Sequence, residues 1–181
     1  MNRPVKSVRF RDRGGVRISQ WVVVVTAVFL LVSPVLGDEP PESRAEKLLK
    51  VGLVLADRTS YLEALDPLNE AAQLLDEAGK QATRIYADVL VAIAETKTKG
   101  RIHQGFPAAY VKGALKDVQA ANKLRERFQD IPRQQLAQSY YLEGVIHKRF
   151  FLRKEKARDC FQKAVNVDSG FAPAKRELSD P

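Results

Sequence analysis

The sequence predicts an all-α protein, built as antiparallel helix hairpins behind a separate N-terminal segment. From Ser43 onward apolar residues recur three and four positions apart, which places them along one face of a 3.6-residue helix. No run shows the strict alternation a half-buried strand would need. Helix breakers at Gly79, Gly100, Pro107, Pro132 and Gly170 cut the periodic stretch into lengths typical of helices.

The N-terminal segment reads as an address. Basic residues up to Arg17 precede the apolar run Trp21 to Val32, and Pro34, Val35 and Gly37 then lead into the acidic, proline-rich Asp38-Glu39-Pro40-Pro41. That order of parts is a signal peptide, and the small residues predict cleavage after Gly37. The alternative is an uncleaved anchor over 18–36, close to the ~20 residues that span a bilayer. In either case the arginine-rich end stays on the cytoplasmic side and the body lies outside the cytoplasm, periplasmic or secreted. A lipoprotein would need a cysteine where Asp38 stands, and a twin-arginine signal would need adjacent arginines, which Arg9, Arg11 and Arg13 do not supply. The chain thus divides into a signal peptide or anchor over 1–37, a linker over 38–44 and a helical domain over 45–181.

Within the body, helices are expected near 43–57, 61–78, 80–98, 107–128, 132–151 and 154–167, with a short last one near 172–178. Ser43 with Glu46 and Ser60 with Glu63 make S-x-x-E capping boxes at the first two starts. Pro67 either kinks the second helix or, with Asp66 as cap, starts it late.

The net charge of +8 is unevenly placed. Residues 1–37 carry six basic side chains and one acidic, residues 38–96 six and twelve, and residues 97–158 fifteen and five. Much of the excess therefore belongs to the signal segment, and the body is polarised along its length.

Spacing within the helices is more specific. Leu48-x2-Val51-Gly52-x2-Leu55 is followed by Ala64-x3-Leu68-x2-Ala71, and Tyr140-x2-Glu143-Gly144-x2-His147 by Ala157-x3-Phe161-x2-Ala164. These resemble the tetratricopeptide repeat, whose first helix carries a bulky residue, a Leu-Gly pair and a Tyr, and whose second carries Ala-x3-Phe-x2-Ala. The physical reading is close packing: Gly52 and Gly144 let one helix approach its partner, Ala64 and Ala157 sit in the contact, and Leu68 and Phe161 fill the space between pairs. A middle pair, with Tyr86 at the glycine position and Ala114-x3-Val118-x2-Ala121, fits less well. Ala64, Ala114 and Ala157 lie 50 and 43 residues apart against the family's 34, so the middle hairpin carries longer helices and an insertion near Gly100–Pro107. The resemblance covers residues 45–178 and implies three hairpins stacked as a short solenoid; an irregular helical bundle is the alternative.

Catalytic chemistry finds few candidates. His103 falls in an expected loop and His147 on a helix, without H-x-x-x-H or H-E-x-x-H spacing. Cys160 is the sole cysteine, so no disulfide closes within the chain and no cysteine-based zinc site is expected; beside Phe161 it reads as a small buried hydrophobe. Gly14-Gly15 lies in the signal segment and is no phosphate loop. Asp76-Glu77 and Glu63-x2-Asp66 read as helix-surface and cap residues. The expectation is a protein that is not an enzyme, with no metal and no cofactor.

Two surfaces remain as binding candidates. By the resemblance, the first helix of each pair lines a concave groove, here Leu49, Leu53, Thr83, Ala87, Tyr141, Val145 and Lys148, suited to an amphipathic or extended apolar segment of a partner protein. The second surface is the basic run Lys148, Arg149, Arg153, Lys154, Lys156 and Arg158. Its plain reading is a solvated helix end whose cations face the helix dipole; its functional reading is a patch for an acidic protein segment or anionic lipid headgroups. Nucleic acid does not suit an exported body. The expected function is a protein-binding scaffold or adaptor, with a peripheral membrane or structural envelope protein as the alternative.

Overall fold

A computed structural model describes residues 39–179 of the chain. The signal, anchor and cleavage expectations for 1–37 lie outside these residues. Among the described residues the protein is all-helical: α1 Pro41–Asp57, α2 Tyr61–Glu77, α3 Arg84–Gln104, α4 Ala108–Arg125, α5 Arg133–Phe150, α6 Lys154–Val167 and α7 Ala172–Ser179. No helix among them is long and apolar enough to cross a membrane.

Three antiparallel hairpins, α1–α2, α3–α4 and α5–α6, make the tightest packing, and α7 closes on α6. Hairpins stack on one another through α2 against α3 and α4 against α5, while α1, α3 and α5 follow one another along one side. The core is continuous with this stacking. Leu68, Leu75, Val89 and Ile93 bury the first junction, Val111, Val118 and Ile146 the second, and Phe161 with Ala174 the last. Each large apolar side chain so buried contributes about 1.5–3 kcal/mol.

The expected packing residues meet as hairpin partners. Ala64, Leu68, Ala71, Ala157, Phe161 and Ala164 are all buried. A Cβ on Gly52 would come within 2.5 Å of Leu68 Cγ, and one on Gly144 within 2.5 Å of Phe161 Cε1, so only glycine permits these approaches.

Several boundaries differ from expectation, each for a local reason. Helix α1 starts at Pro41, so residues 41–44 belong to it and not to a linker; Pro40 takes the cap position with Pro41 in the first turn, where a missing N–H costs nothing. Ser43 is consequently inside the helix and donates its hydroxyl to Glu39 at 2.6 Å, and Ser60, although at the N-cap of α2, makes no side-chain cap bond. Helix α2 runs unbroken from Tyr61 through Pro67, neither late-starting nor interrupted. Helix α3 starts at Arg84, where the Thr83 hydroxyl accepts from Tyr86 N at 3.4 Å, and continues through Gly100 to end at Gly105 in the left-handed conformation. Gly100 is no breaker: the Phe106 ring lies against it where a side chain would stand. Tyr86 is half-buried and packs near Ala87, Leu90 and Ala121.

Candidate binding groove

Because α1, α3 and α5 lie side by side, their outward faces form a furrow. Its first half holds Leu49 and Leu53 of α1, Asp88, Val91 and Ala92 of α3, and Gln135 and Gln138 of α5, around a hollow of about 270 Å³. The second half, about 260 Å³, continues along α3 through Glu95, Lys99 and Ile102 and along α5 through Tyr141, Leu142, Val145 and Arg149. Val91, Glu95 and Gln138 belong to both halves, which makes the furrow continuous.

Its charges are largely satisfied from within. Arg125 rises from α4, is 5% exposed, donates to Asp88 Oδ1 at 2.5 Å and to the Gln135 carbonyl at 3.0 Å. Lys99 pairs with Glu95 one turn away at 2.8 Å. Apolar surface is left open instead: Leu53 is 42% and Ile102 41% exposed, flanked by the half-buried Val91, Tyr141 and Val145. Tyr141 is held from behind by Phe161 and Phe171, at 5.6 and 5.7 Å between ring centres.

Of the expected groove residues, Leu49, Leu53, Tyr141 and Val145 line this furrow. Thr83 and Ala87 do not. Thr83 caps α3 and Ala87 is fully buried against Leu90 and Ala121, because the α3 face that looks outward runs through residues 88, 91, 95, 99 and 102. Lys148 turns toward α7 and bonds Glu177 at 2.6 Å, bordering another hollow with Lys154, Arg158 and Leu178. Asp88, Val91, Glu95 and Ile102 were not singled out by sequence; their i, i+3, i+4 recurrence is visible, but it requires the α3 start to be known.

The basic run lies on the α5–α6 turn. Arg149, Arg153, Lys154, Lys156 and Arg158 are exposed and form no ion pair among the described residues, while the Arg153 guanidinium sits 5.2 Å over the Phe151 ring. At the tip, Leu152 adopts φ +54° and is 81% exposed.

Candidate chemical groups fall in unequal places. His103 is exposed in the last turn of α3, not in a loop, and stacks on Tyr61 at 6.0 Å. His147 is buried, and burial, reinforced by Arg153 and Lys156 and opposed by Glu143, lowers its pKa. Burial pushes the Cys160 thiol up to about 12, with Glu143 adding to the effect. Yet Glu143, His147 and Cys160 present donor atoms within 4.8 Å of one another, a grouping the sequence reading did not anticipate. The Glu-x3-His spacing on α5 was visible; the arrival of Cys160 from α6 depends on how the hairpin closes.

No protein-family model and no curated protein matches the chain. Fold and surface define it as a helical-hairpin stack with a furrow along its first-helix side.

Proposed function

We propose that the protein is a non-enzymatic scaffold of tetratricopeptide type, exported or membrane-tethered, that holds an apolar helical or extended segment of a partner protein in the furrow of α1, α3 and α5. The observation that carries this is the pairing of open apolar side chains, Leu53 and Ile102 above all, with the Asp88–Arg125 and Glu95–Lys99 charges neutralised by each other, Arg149 at the far end being the exception. Such a surface gains by covering apolar area and has little to offer a strongly charged ligand. The hairpin spacing supports the family assignment, and the basic N-terminus with its apolar run supports export.

The reading is tested by placing a charge in the furrow. Val91→Glu and Ile102→Glu, each on an accessible position, leave the helical fold intact and weaken partner binding at least tenfold; unchanged binding by both removes the groove from the function.

A second reading has its own observation. Leu152 stands in a left-handed backbone conformation, at a cost of about 1–2 kcal/mol, with its side chain in solvent beside Arg153, Lys154, Glu155 and Lys156. An apolar tip among cations fits an anionic lipid surface. Flotation of a chain beginning at Asp38 with anionic vesicles, lost on neutral vesicles, at high salt and in Leu152→Asp, supports this reading; equal behaviour of Leu152→Asp and the parent excludes it.

A further inference from the structure

We propose that Glu143, His147 and Cys160 form a binding site for a zinc-class divalent cation, built into the α5–α6 hairpin and independent of the furrow. Glu143 and His147 are one turn apart on α5 and share a face. The close approach of Gly144 to Phe161 draws α6 onto that face, and Cys160, next to Phe161, arrives with it. One donor atom from each residue lies within 4.8 Å of the others, with Glu143 Oε1 to His147 Nε2 at 3.8 Å. Zinc bonds of about 2.0–2.3 Å set tetrahedral donors roughly 3.3–3.6 Å apart, so the donors close on an ion by shifts of about 1 Å, within reach of side-chain rotation.

The surroundings bear on the same site. His147 is 3% exposed, its Nε2 faces Glu143 Oε1, and Nδ1, the other ring nitrogen, has no hydrogen-bond partner among the described residues. Glu143 is oriented by two amides: Gln119 Nε2 donates to Oε1 at 2.9 Å and Asn122 Nδ2 to Oε2 at 2.8 Å, the outer support typical of a metal-binding carboxylate. No lysine or arginine pairs with Glu143 among the described residues; the His147 ring is its nearest charge partner. A mostly buried carboxylate, an imidazole and a thiol thus share one pocket, with Arg153 and Lys156 acting on His147 and Lys163 on Cys160 from outside it. On binding, the cation takes a lone pair from the imidazole and one carboxylate oxygen, and the thiol releases its proton to solvent as the metal–sulfur bond forms. Two negative ligands then balance a double positive charge. The mixed nitrogen, oxygen and sulfur donors suit zinc and exclude the all-oxygen preference of magnesium or calcium.

Cobalt(II) titration of the full chain, reduced and stripped of metal, tests this directly. A folded protein that binds stoichiometrically develops a cobalt–thiolate charge-transfer absorption in the near ultraviolet, which zinc then abolishes. Cys160 is the only cysteine, so that absorption has one source. Cys160→Ser removes it, and Glu143→Gln and His147→Gln weaken binding by roughly tenfold or more. Absence of the absorption from the folded wild-type chain at millimolar cobalt overturns the proposal without recourse to any variant. So does an absorption that both Glu143→Gln and His147→Gln leave unchanged.

Discussion

The ring of Phe161 occupies the space that any side chain at residue 144 would need: a Cβ on Gly144 would lie 2.5 Å from its Cε1 and 2.7 Å from its Cδ1. The same relationship joins Gly52 to Leu68 two hairpins earlier. Both large residues are fully buried, so neither can swing away without opening a cavity.

Gly144→Ala and Gly52→Ala are therefore each expected to destabilise the fold by about 1–3 kcal/mol, overpacking outweighing the better helix propensity of alanine. Gly113→Ala should do the reverse. A Cβ there meets only Lys97 Nζ at 3.4 Å, and the substitution should stabilise by about 0.5–1 kcal/mol. Urea denaturation followed by circular dichroism reads both signs, and a common sign for all three refutes the packing argument.

This pairing also shows what could be read in advance. The first and last hairpins were legible because a glycine in one helix and a large apolar residue in the next recur at matching spacing. The middle hairpin was not, because a glycine that ends a helix and a glycine that admits a neighbour look alike in sequence. Gly100 is of the second kind, and reading it as a breaker shortened α3. A helix turns by about 100° per residue, and the alignment to the repeat that put Thr83 and Ala87 in the groove picked a different face of α3 from the one carrying Asp88, Val91 and Glu95. Likewise, Ser43 promised a cap that the preceding prolines made unnecessary. The meeting of Cys160 with Glu143 and His147 is a tertiary fact and has no local signature.

Removing one member of the Asp88–Arg125 pair should be costly. The Arg125 side chain is 6% exposed, and Asp88→Ala leaves its charge with the Gln135 carbonyl alone. A loss of about 3 kcal/mol is expected, at the lower end for broken buried pairs because the Asp88 side chain is 28% exposed. Equilibrium denaturation of Asp88→Ala measures it; a change below about 1 kcal/mol would show that the pair is effectively solvated.

Stability should fall on mild acidification through His147. Its folded pKa lies below the ordinary 6.5, so below that pH the unfolded chain binds a proton that the folded chain resists. Stability is then constant above about pH 7 and declines as pH drops through 6.5 toward the depressed folded value. Denaturant midpoints at pH 7.5, 6.5 and 5.5 check the slope, which His147→Gln should abolish. A midpoint that rises on acidification contradicts the burial argument.

Cys160 should be nearly inert in the native protein. At 6% exposure, with its thiol pushed up to about 12 from 9.0, it holds roughly a thousandfold less thiolate near neutrality than an ordinary cysteine, and access is also blocked. A disulfide reagent should label it at the rate of opening, and rapidly in urea. Fast native labelling would place the thiol at the surface.

The central claim, that the furrow of α1, α3 and α5 receives a partner segment, is most directly tested by photo-crosslinking in cells. A photoreactive residue is placed in turn at Val91 and Val145 in the furrow and at the exposed Ala120 on α4. The account predicts one dominant protein adduct from the two furrow positions, absent from Ala120 and lost when Ile102→Glu is added. Equal adducts from all three positions, or none from the furrow, would contradict it.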